Sequence, residues 1–277
     1  MRVAFPPAVG RRRLGLMPKL RTAWSKLRWS LAQRGLGGTL KFALERARRQ
    51  PHQTNQPRPQ LHPFDRQFGV NTGGLIGGGD LHSGHRHDVF NTAYYGMAPS
   101  RFQRVMDYWI ADQTHAALEN YSFVDLGCGK GRAVLMASEF RFREVVGVEL
   151  HRELAGIAEA NVATWTAAGR AVCPVRIVHG DATEFALPDG ACLLYLFNPF
   201  AAPVMKRLVE RIEADYADRP GMLDLIYFNP EAAELLEAHG GFQQLWTGIV
   251  PMSEEDAAVD LVASPEDLCS LYRWVGR

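Results

Sequence analysis

The stretch VDLGCGKGR (residues 124–132) decides the fold of this chain. Its apolar start is typical of a buried strand that ends in Asp125, and the alternating glycines Gly127, Gly129 and Gly131 then turn the chain into a helix. Glycines let a ligand approach the backbone closely, and a helix N-terminus offers free amides. The G-x-G-x-G spacing differs from the dinucleotide fingerprint, and the acid suits an ammonium group better than a pyrophosphate. We interpret the stretch as a ligand-binding loop, with a plain tight turn as the structural alternative.

Two further acids follow the next two predicted strands. Glu149 ends the strand EVVGVEL, and Asp181 follows the strand VRIVHGD. Glu149 can accept hydrogen bonds from both hydroxyls of a ribose, and Asp181 can accept one from an exocyclic adenine amine beside the backbone amide of Ala182. Each acid alone could instead cap a helix. Because the acids follow successive strands, we expect them to hold one nucleoside at the edge of a sheet.

From residue 101 onward, apolar strands alternate with helices, which predicts an α/β fold with a parallel sheet covered on both faces. The predicted strands are YSFVDLG, EVVGVEL, VRIVHGD, ACLLYLFNP and MLDLIYFNP. An amphipathic helix precedes them, and further helices are predicted over residues 131–140, 152–168, 203–216 and 231–239. The last two strands, FQQLWTGIV and LCSLYRWVG, have no clear helix between them and are predicted to form an antiparallel hairpin.

These motifs resemble those of class I S-adenosylmethionine-dependent methyltransferases over residues 94–277. VDLGCGKGR is similar to the first motif of that family, GVEL (147–150) to its second and GDA (180–182) to its third. The resemblance implies a Rossmann-like, doubly wound, mostly parallel sheet with a C-terminal antiparallel hairpin, and S-adenosyl-L-methionine as the cofactor. YYGMAPSRF (94–102) is similar to a segment that lies over the methionine end of the cofactor. The residues assigned to the cofactor in this way are Tyr95, Asp125, Leu126, Gly127, Cys128, Gly129, Gly131, Glu149, Leu150, Asp181, Ala182 and Asn198.

The fourth predicted strand ends in YLFNPF (195–200), where an apolar run stops at an amide and a proline. This turn resembles the Asn/Asp-Pro-Pro-Tyr/Phe motif of amino methyltransferases, with one proline missing. In that motif the amide oxygen and a neighbouring carbonyl orient the acceptor nitrogen for in-line displacement, and an aromatic ring shelters a planar or cationic acceptor. The resemblance therefore assigns catalytic roles to Asn198, Pro199 and Phe200. A strand-ending Asn-Pro turn is the structural alternative.

The same letters return in IYFNPE (226–231). Here we predict a helix cap at Asn229, with Pro230 at the first helical position. His151 and His179 flank the acids of the second and third strands, and we expect them to be pocket neighbours rather than catalytic bases.

The expected function is methyl transfer to a nitrogen acceptor, a protein lysine or another amine. Two alternatives stay open: an O- or small-molecule methyltransferase in which Asn198 only shapes the pocket, and a non-catalytic nucleoside-binding module. The glycine spacing disfavours an oxidoreductase. The methyl acceptor itself, protein or small molecule, is not identified by the motifs.

The N-terminal part differs in charge from the rest. Residues 1–50 carry a net charge of +12, and residues 51–277 carry −11. Apolar residues at helical spacing predict a basic amphipathic arm over 1–50 that contacts an anionic membrane or nucleic acid, docks on the acidic remainder, or stays solvated. A proline-rich linker (51–63), a glycine- and aromatic-rich lid or wrap segment (64–100) and the methyltransferase domain (101–277) follow.

Within the wrap segment, HSGHRHD (82–88) holds His82, His85, His87 and Asp88. Metal ligation requires convergent geometry that a loop does not ensure, so we predict no metal and a solvated polar loop.

The cysteines Cys128, Cys173, Cys192 and Cys269 show no metal or disulfide spacing and are expected to be reduced, buried thiols. No apolar run approaches the length of a membrane span, and the N-terminus lacks the apolar region of a signal peptide. We therefore expect a cytoplasmic protein, with peripheral membrane contact through the arm as a further expectation.

Overall fold

A computed structural model describes residues 62–112, 117–260 and 266–277. The predicted arm (1–50) and most of the predicted linker lie outside the described residues. The strands are β1 (Leu75–Ile76), β2 (Tyr94–Tyr95), β3 (Tyr121–Leu126), β4 (Glu144–Glu149), β5 (Val175–His179), β6 (Ala191–Phe197), β7 (Leu223–Phe228), β8 (Phe242–Pro251) and β9 (Glu266–Trp274). The first two strands form a small antiparallel ribbon, and the other seven form one sheet.

The sheet has the order β5-β4-β3-β6-β7-β9-β8. Strands β3 to β7 are parallel, while β9 runs antiparallel to both β7 and β8. The chain runs outward from β3 to β5 and then returns to place β6 on the other side of β3. The topological switch point therefore lies between β3 and β6, where ligands of open α/β sheets bind. The predicted Rossmann-like sheet with a C-terminal antiparallel hairpin is confirmed.

The central strands are apolar on both faces because helices cover both sides of the sheet. Every residue of β3 and β7 is buried, as is every residue of β6 except Phe197. Two apolar clusters result, one on each face. Phe123 belongs to the first cluster and Val124 to the second, so neighbouring residues of one strand serve opposite cores.

The helices are α1 (Pro63–Phe68), α2 (Pro99–Asp112), α3 (Arg132–Ala137), α4 (Arg152–Ala167), α5 (Ala202–Tyr216), α6 (Ala233–His239) and α7 (Glu254–Val259). Helix α3 ends before the predicted residue 140. The Ser138 hydroxyl donates to the Leu135 carbonyl at 2.6 Å and so competes for a backbone acceptor at the end of the helix. Helix α6 begins at Ala233, two residues later than predicted.

The hairpin of β8 and β9 pairs along its whole length, with one register shift between Gln244 and Trp246. Helix α7, which the pattern analysis did not predict, lies in the connection. Its N-cap is Ser253, whose hydroxyl accepts the Asp256 amide at 3.2 Å. A short acidic helix without buried residues has no apolar periodicity, so only its cap residue could have indicated it.

The wrap segment is packed on the sheet domain. The Phe64 ring stacks on Trp165 at 5.6 Å between ring centroids, and both side chains are buried. Asp65 is also buried: it accepts the amide of Thr72 at 2.9 Å and lies 3.8 Å from the Arg132 guanidinium of helix α3. The ordered segment predicted over 64–100 therefore begins inside the core, and Pro63 of the predicted linker already belongs to helix α1.

Within the described ranges, none of the helices combines the length and apolar content that a membrane crossing requires. The four cysteines are free thiols, and Cys173 is the one that is only half-buried. Burial raises the pKa of the Cys192 thiol to about 12, which keeps it protonated.

Candidate active site

One cavity lies over the carboxyl ends of β3, β4 and β6, with the wrap segment as its cover. It contains about 940 Å³ of empty space, including its mouth. The predicted site residues that line it are Tyr95, Asp125, Gly127, Cys128, Gly129, Glu149, Leu150, Asp181, Ala182, Pro199 and Phe200. Three predicted residues are not among its lining: Leu126 lies in the core, Gly131 begins helix α3, and Asn198 lies at the end of β6.

The glycine loop has the backbone that its sequence predicts. Gly127, Gly129 and Gly131 all have positive φ, at 81°, 56° and 84°. A Cβ at Gly127 would overlap Pro199, and one at Gly129 would overlap the ring of Tyr94. The glycines therefore admit close protein neighbours from β6 and from the wrap segment, in addition to any ligand.

Glu149 is held by donors on both of its oxygens. Its Oε2 accepts the Gly129 amide at 2.8 Å, which ties the end of β4 to the glycine loop. Its Oε1 accepts the His151 amide at 2.8 Å and lies 3.0 Å from the Nδ1 atom of the same ring. These donors orient the carboxylate, and His151 is confirmed as a pocket neighbour in contact with the predicted ribose acid. His179 lines a second cleft next to this cavity.

Asp125 has the opposite environment. Its side chain is buried, and no hydrogen bond to it is found among the described residues. Burial, and then the nearby charge of Glu149, raise the pKa of Asp125 well above its usual range. A buried carboxylate without a partner at the mouth of β3 fits a cationic group of the ligand, since an ammonium would supply the missing donors.

Tyr195 is a lining residue that the motif analysis missed. It is buried in β6 opposite Asp125, and its hydroxyl has no hydrogen-bond partner within the described part of the chain. Burial raises the pKa of Tyr195 well above its usual range, with Asp125 as the next cause. The signal was present in ACLLYLF, where one hydroxyl interrupts an apolar run directly before the Asn-Pro turn.

Asp181 is reached by the histidine loop, so the prediction of a solvated polar loop is wrong for His87. That ring is buried, with Nδ1 2.9 Å from Oδ2 of Asp181, and Nε2 of His85 lies 3.7 Å from the same oxygen. The other oxygen accepts the amide and hydroxyl of Thr183 at 2.8 and 2.9 Å. The loop packs here because the Asp88 carboxylate accepts the Gly84 amide at 2.8 Å and closes its turn.

The Asn-Pro-Phe turn is clamped by the wrap segment. Asn198 has φ 41°, a left-handed conformation that ends β6. The Asn198 carbonyl accepts the Thr92 hydroxyl, and the Pro199 carbonyl accepts the Thr92 amide at 3.3 Å. Phe200 pairs with Asn91 in an antiparallel bridge. The turn therefore places Pro199 and Phe200 in the cavity wall.

The prediction that Asn229 caps a helix is wrong. Asn229 also has a left-handed φ, 48°, and helix α6 begins later, with Ala232 as its N-cap. Its side chain instead lies next to those of Tyr95 and Asp267. Asp267 forms a buried ion pair with Arg101 at 2.6 Å. Burial, and then the charge of Asp267, raise the pKa of Tyr95 to about 12, which keeps its hydroxyl protonated.

Residues 124–199 match the family model described as a methyltransferase domain. No curated protein sequence matches the chain. Among solved structures, magnesium protoporphyrin IX methyltransferase from Synechocystis PCC 6803 with bound SAM is similar at 14% identity and a TM-score of 0.44, over 64% of this chain and 79% of that one. The tRNA m1G37 methyltransferase of M. jannaschii is similar at 12% and 0.43, over 64% and 49%. The [4+2]-cyclase SpnF is similar at 18% and 0.42, over 62% and 81%.

The matched residues begin in the strand before the glycine loop and end at the proline of the Asn-Pro turn. Both the glycine loop and this turn contribute residues to the cavity lining. Together with the strand order, the match identifies residues 124–199 as a methyltransferase domain, and the protein as an S-adenosylmethionine-dependent methyltransferase. S-adenosyl-L-methionine is its cofactor, and the unpartnered Asp125 carboxylate fits the ammonium group of that molecule.

Proposed function

We propose that this methyltransferase transfers the methyl group to a nitrogen acceptor, an amine such as a protein lysine. The observation that carries the proposal is the Asn198-Pro199-Phe200 turn at the switch point, which Thr92 holds and whose Pro199 and Phe200 line the cavity. Asn198 ends β6 in a left-handed conformation that asparagine adopts readily, and the chain then turns Pro199 and Phe200 into the cavity wall. The Asn198 amide oxygen would accept a hydrogen bond from the incoming amine, while Thr92 holds the backbone of the turn in place.

Aromatic rings beside the turn support the same proposal. Tyr95 and Phe197 meet edge to face at 4.8 Å between centroids, and Phe197 packs on Phe228 at 5.9 Å. Phe200 and Tyr195 complete this side of the cavity. Aromatic faces attract a methylated ammonium, and they also exclude water from the reacting atoms.

Each of the three acids is assigned to one part of the cofactor. We propose that Asp125 holds the ammonium of the methionine part, Glu149 the ribose hydroxyls and Asp181 the exocyclic amine of adenine. The backbone of the glycine loop and the side chains of Cys128, Leu150 and Ala182 would contact the same molecule, and Tyr95 would lie over its methionine end. Leu126 and Gly131 would support the loop from the core rather than touch the cofactor.

The main contribution of the protein to catalysis is to position the acceptor relative to the cofactor. The bound cofactor supplies an electrophilic methyl group on a sulfonium. The protein then has to place the nitrogen lone pair in line with that methyl group and to exclude water, and such orientation accounts for several kcal/mol of barrier lowering. Because Tyr95 and Tyr195 keep their protons, they act as neutral donors or packing groups rather than as bases.

A matched pair of glycine variants tests this proposal, because glycine tolerates the left-handed backbone at both sites. Asn198→Gly removes the amide and should lower turnover on the amine acceptor by about 100-fold with cofactor affinity nearly unchanged. Asn229→Gly, which acts on the site only through Tyr95, should cost less. Acceptors are found by incubating the enzyme with labelled cofactor, a cell lysate and a panel of amines. If Asn198→Gly turns over normally, the nitrogen-acceptor proposal is wrong.

The cover over the cavity favours a second candidate, a small-molecule or oxygen acceptor. Lining residues from Leu81 to Met97 roof the site, so an acceptor must enter as a small molecule or as a single extended side chain. The same labelling experiment separates the two candidates by the atom that carries the methyl group. Contact of the basic arm with an anionic membrane or nucleic acid, and a cytoplasmic location, remain proposals that the labelling does not address.

A further inference from the structure

The wrap segment brings two histidine rings to the acid that follows β5. Asp181 is almost buried, with 6% of its side chain exposed. On its Oδ2 side lie Nδ1 of His87 at 2.9 Å and Nε2 of His85 at 3.7 Å. Oδ2 of Asp181 and Nδ1 of His87 have no aligned hydrogen bond to any group in the described residues, so their contact at 2.9 Å is an ion-pair distance without hydrogen-bond geometry.

The second nitrogen of each ring decides where the protons are. Nε2 of His87 lies 3.3 Å from the Arg207 guanidinium, which can only donate, so this nitrogen accepts. Burial lowers the pKa of His87, so the ring is neutral and its proton lies on Nδ1. Nδ1 of His85 accepts the His87 amide at 3.3 Å, so the proton of this ring lies on Nε2. Both rings therefore place a protonated nitrogen near Oδ2 of Asp181, at 2.9 Å for His87 and 3.7 Å for His85.

The positions of these protons also bear on whether His85, His87 and Asp181 bind a metal ion or interact only with one another. The ligand atoms of His85, His87 and Asp181 lie within 4.8 Å of one another, which is compatible with a metal ion. A metal would require the lone pairs of the two nitrogens that carry protons here, and it would turn an N–H of His87 towards the Arg207 guanidinium. The hydrogen-bonding partners thus favour donation to the carboxylate over metal ligation.

We infer that His87 is a positioning residue for the adenine site: it fixes the orientation of the Asp181 carboxylate so that this group accepts a hydrogen bond from the exocyclic amine of the cofactor. The inference rests on the proposed role of Asp181. A carboxylate can only accept hydrogen bonds. Such a group attracts an amine at position 6 of the purine and repels a carbonyl oxygen at that position. The wrap segment thereby contributes to base specificity, beyond covering the cavity.

The test compares S-adenosylhomocysteine with S-inosylhomocysteine, in which an oxygen replaces the amine, by calorimetry on the full chain. The wild-type protein should prefer the adenosyl compound by about 10–100-fold, the range for one hydrogen bond to a charged group. His87→Ala should lose most of this preference through weaker adenosyl binding, with inosyl binding unchanged. His87→Asn, whose amide can replace the Nδ1 donor, should recover part of it. The exposed His82 provides the control, because His82→Ala should keep the full preference.

The outcomes distinguish this inference from the function on which it rests. If the wild-type protein binds neither compound, the cofactor assignment itself is wrong. The inference is wrong if Asp181→Asn removes the preference but His87→Ala keeps it. It is also wrong if His87→Ala weakens the binding of both compounds equally while the protein stays folded, because His87 would then be structural. Zinc titration supplies the last arm: competition between Zn²⁺ and S-adenosylhomocysteine that disappears in His85→Ala would make the cluster a metal site and overturn the inference.

Discussion

Asp125→Asn should stabilise the unliganded enzyme and at the same time weaken cofactor binding. The side chain is buried at the mouth of β3, it accepts no hydrogen bond from the described residues, and the charge of Glu149 is close to it. Asparagine keeps the shape and removes the charge. A buried polar group without partners costs about 1–3 kcal/mol, and more when it is charged, so we expect a gain of about 1–3 kcal/mol in the free energy of unfolding. For a chain of this size, each kcal/mol corresponds to about 2–4 °C in Tm.

The pH dependence of this gain has a definite sign. Because the folded, unliganded protein raises the Asp125 pKa, it holds this proton more tightly than the unfolded chain does. The cost of Asp125 is therefore absent at a pH below its usual range, grows as the pH rises, and levels off once the pH exceeds the raised pKa. The stability difference between Asp125→Asn and wild type should be small near pH 4 and larger at pH 8.

Binding should change in the opposite direction. An ionised Asp125 would form a charged hydrogen bond with the cofactor ammonium. A hydrogen bond to a charged group contributes about 1.5–3 kcal/mol, so Asp125→Asn should bind S-adenosylhomocysteine about 10–100-fold more weakly. Thermal melts between pH 4 and pH 8 and calorimetry measure both effects. Asp224→Asn is the matched control, since Asp224 is equally buried but paired with Arg273 at 2.7 Å, and its neutralisation should destabilise. An Asp125→Asn protein that melts lower than wild type, or binds equally well, would refute the reasoning.

Two further variants test the packing around the cavity. Gly129 has a φ of 56°, and Gly129→Ala would place a Cβ against the ring of Tyr94. This variant should lose about 1–3 kcal/mol of stability as well as cofactor affinity. Adding Tyr94→Ala to the same chain should recover part of the stability in thermal melts. Asp65→Asn removes one partner of the buried pair with Arg132 and should cost about 3–5 kcal/mol, with faster proteolysis between residues 62 and 97. Unchanged proteolysis would mean that this pair does not hold the wrap segment.

The convergence of the three acids was predictable because it depends on local pattern and on a general rule of topology. Asp125, Glu149 and Asp181 each follow an apolar run, and parallel strands present their carboxyl ends at one edge of a sheet. Connections between parallel strands are right-handed, so alternating strands and helices leave few possible strand orders. The roles of these acids towards the cofactor stay predictions, as do the boundaries of the basic arm.

What was missed or wrong depended on partners far away in the chain. His87 could not be distinguished from a solvated histidine, because its neighbours Asp181 and Arg207 lie about a hundred residues away in the sequence. Asn229 resembled a helix cap locally, yet its side chain lies next to residues of the wrap segment and of β9.

The sequence by itself determined the α/β class, the glycine loop and the edge at which the acids meet, because strand periodicity, glycine backbone freedom and strand polarity are properties of short stretches. Only the tertiary structure decided which groups occupy the space beside that loop. Tyr94 lies over Gly129, Thr92 holds the Asn198 turn, and His87 contacts Asp181. Such contacts depend on how the wrap segment folds back over the sheet, and the free energy of that packing is summed over many distant pairs, none of which leaves a periodic signal in the sequence.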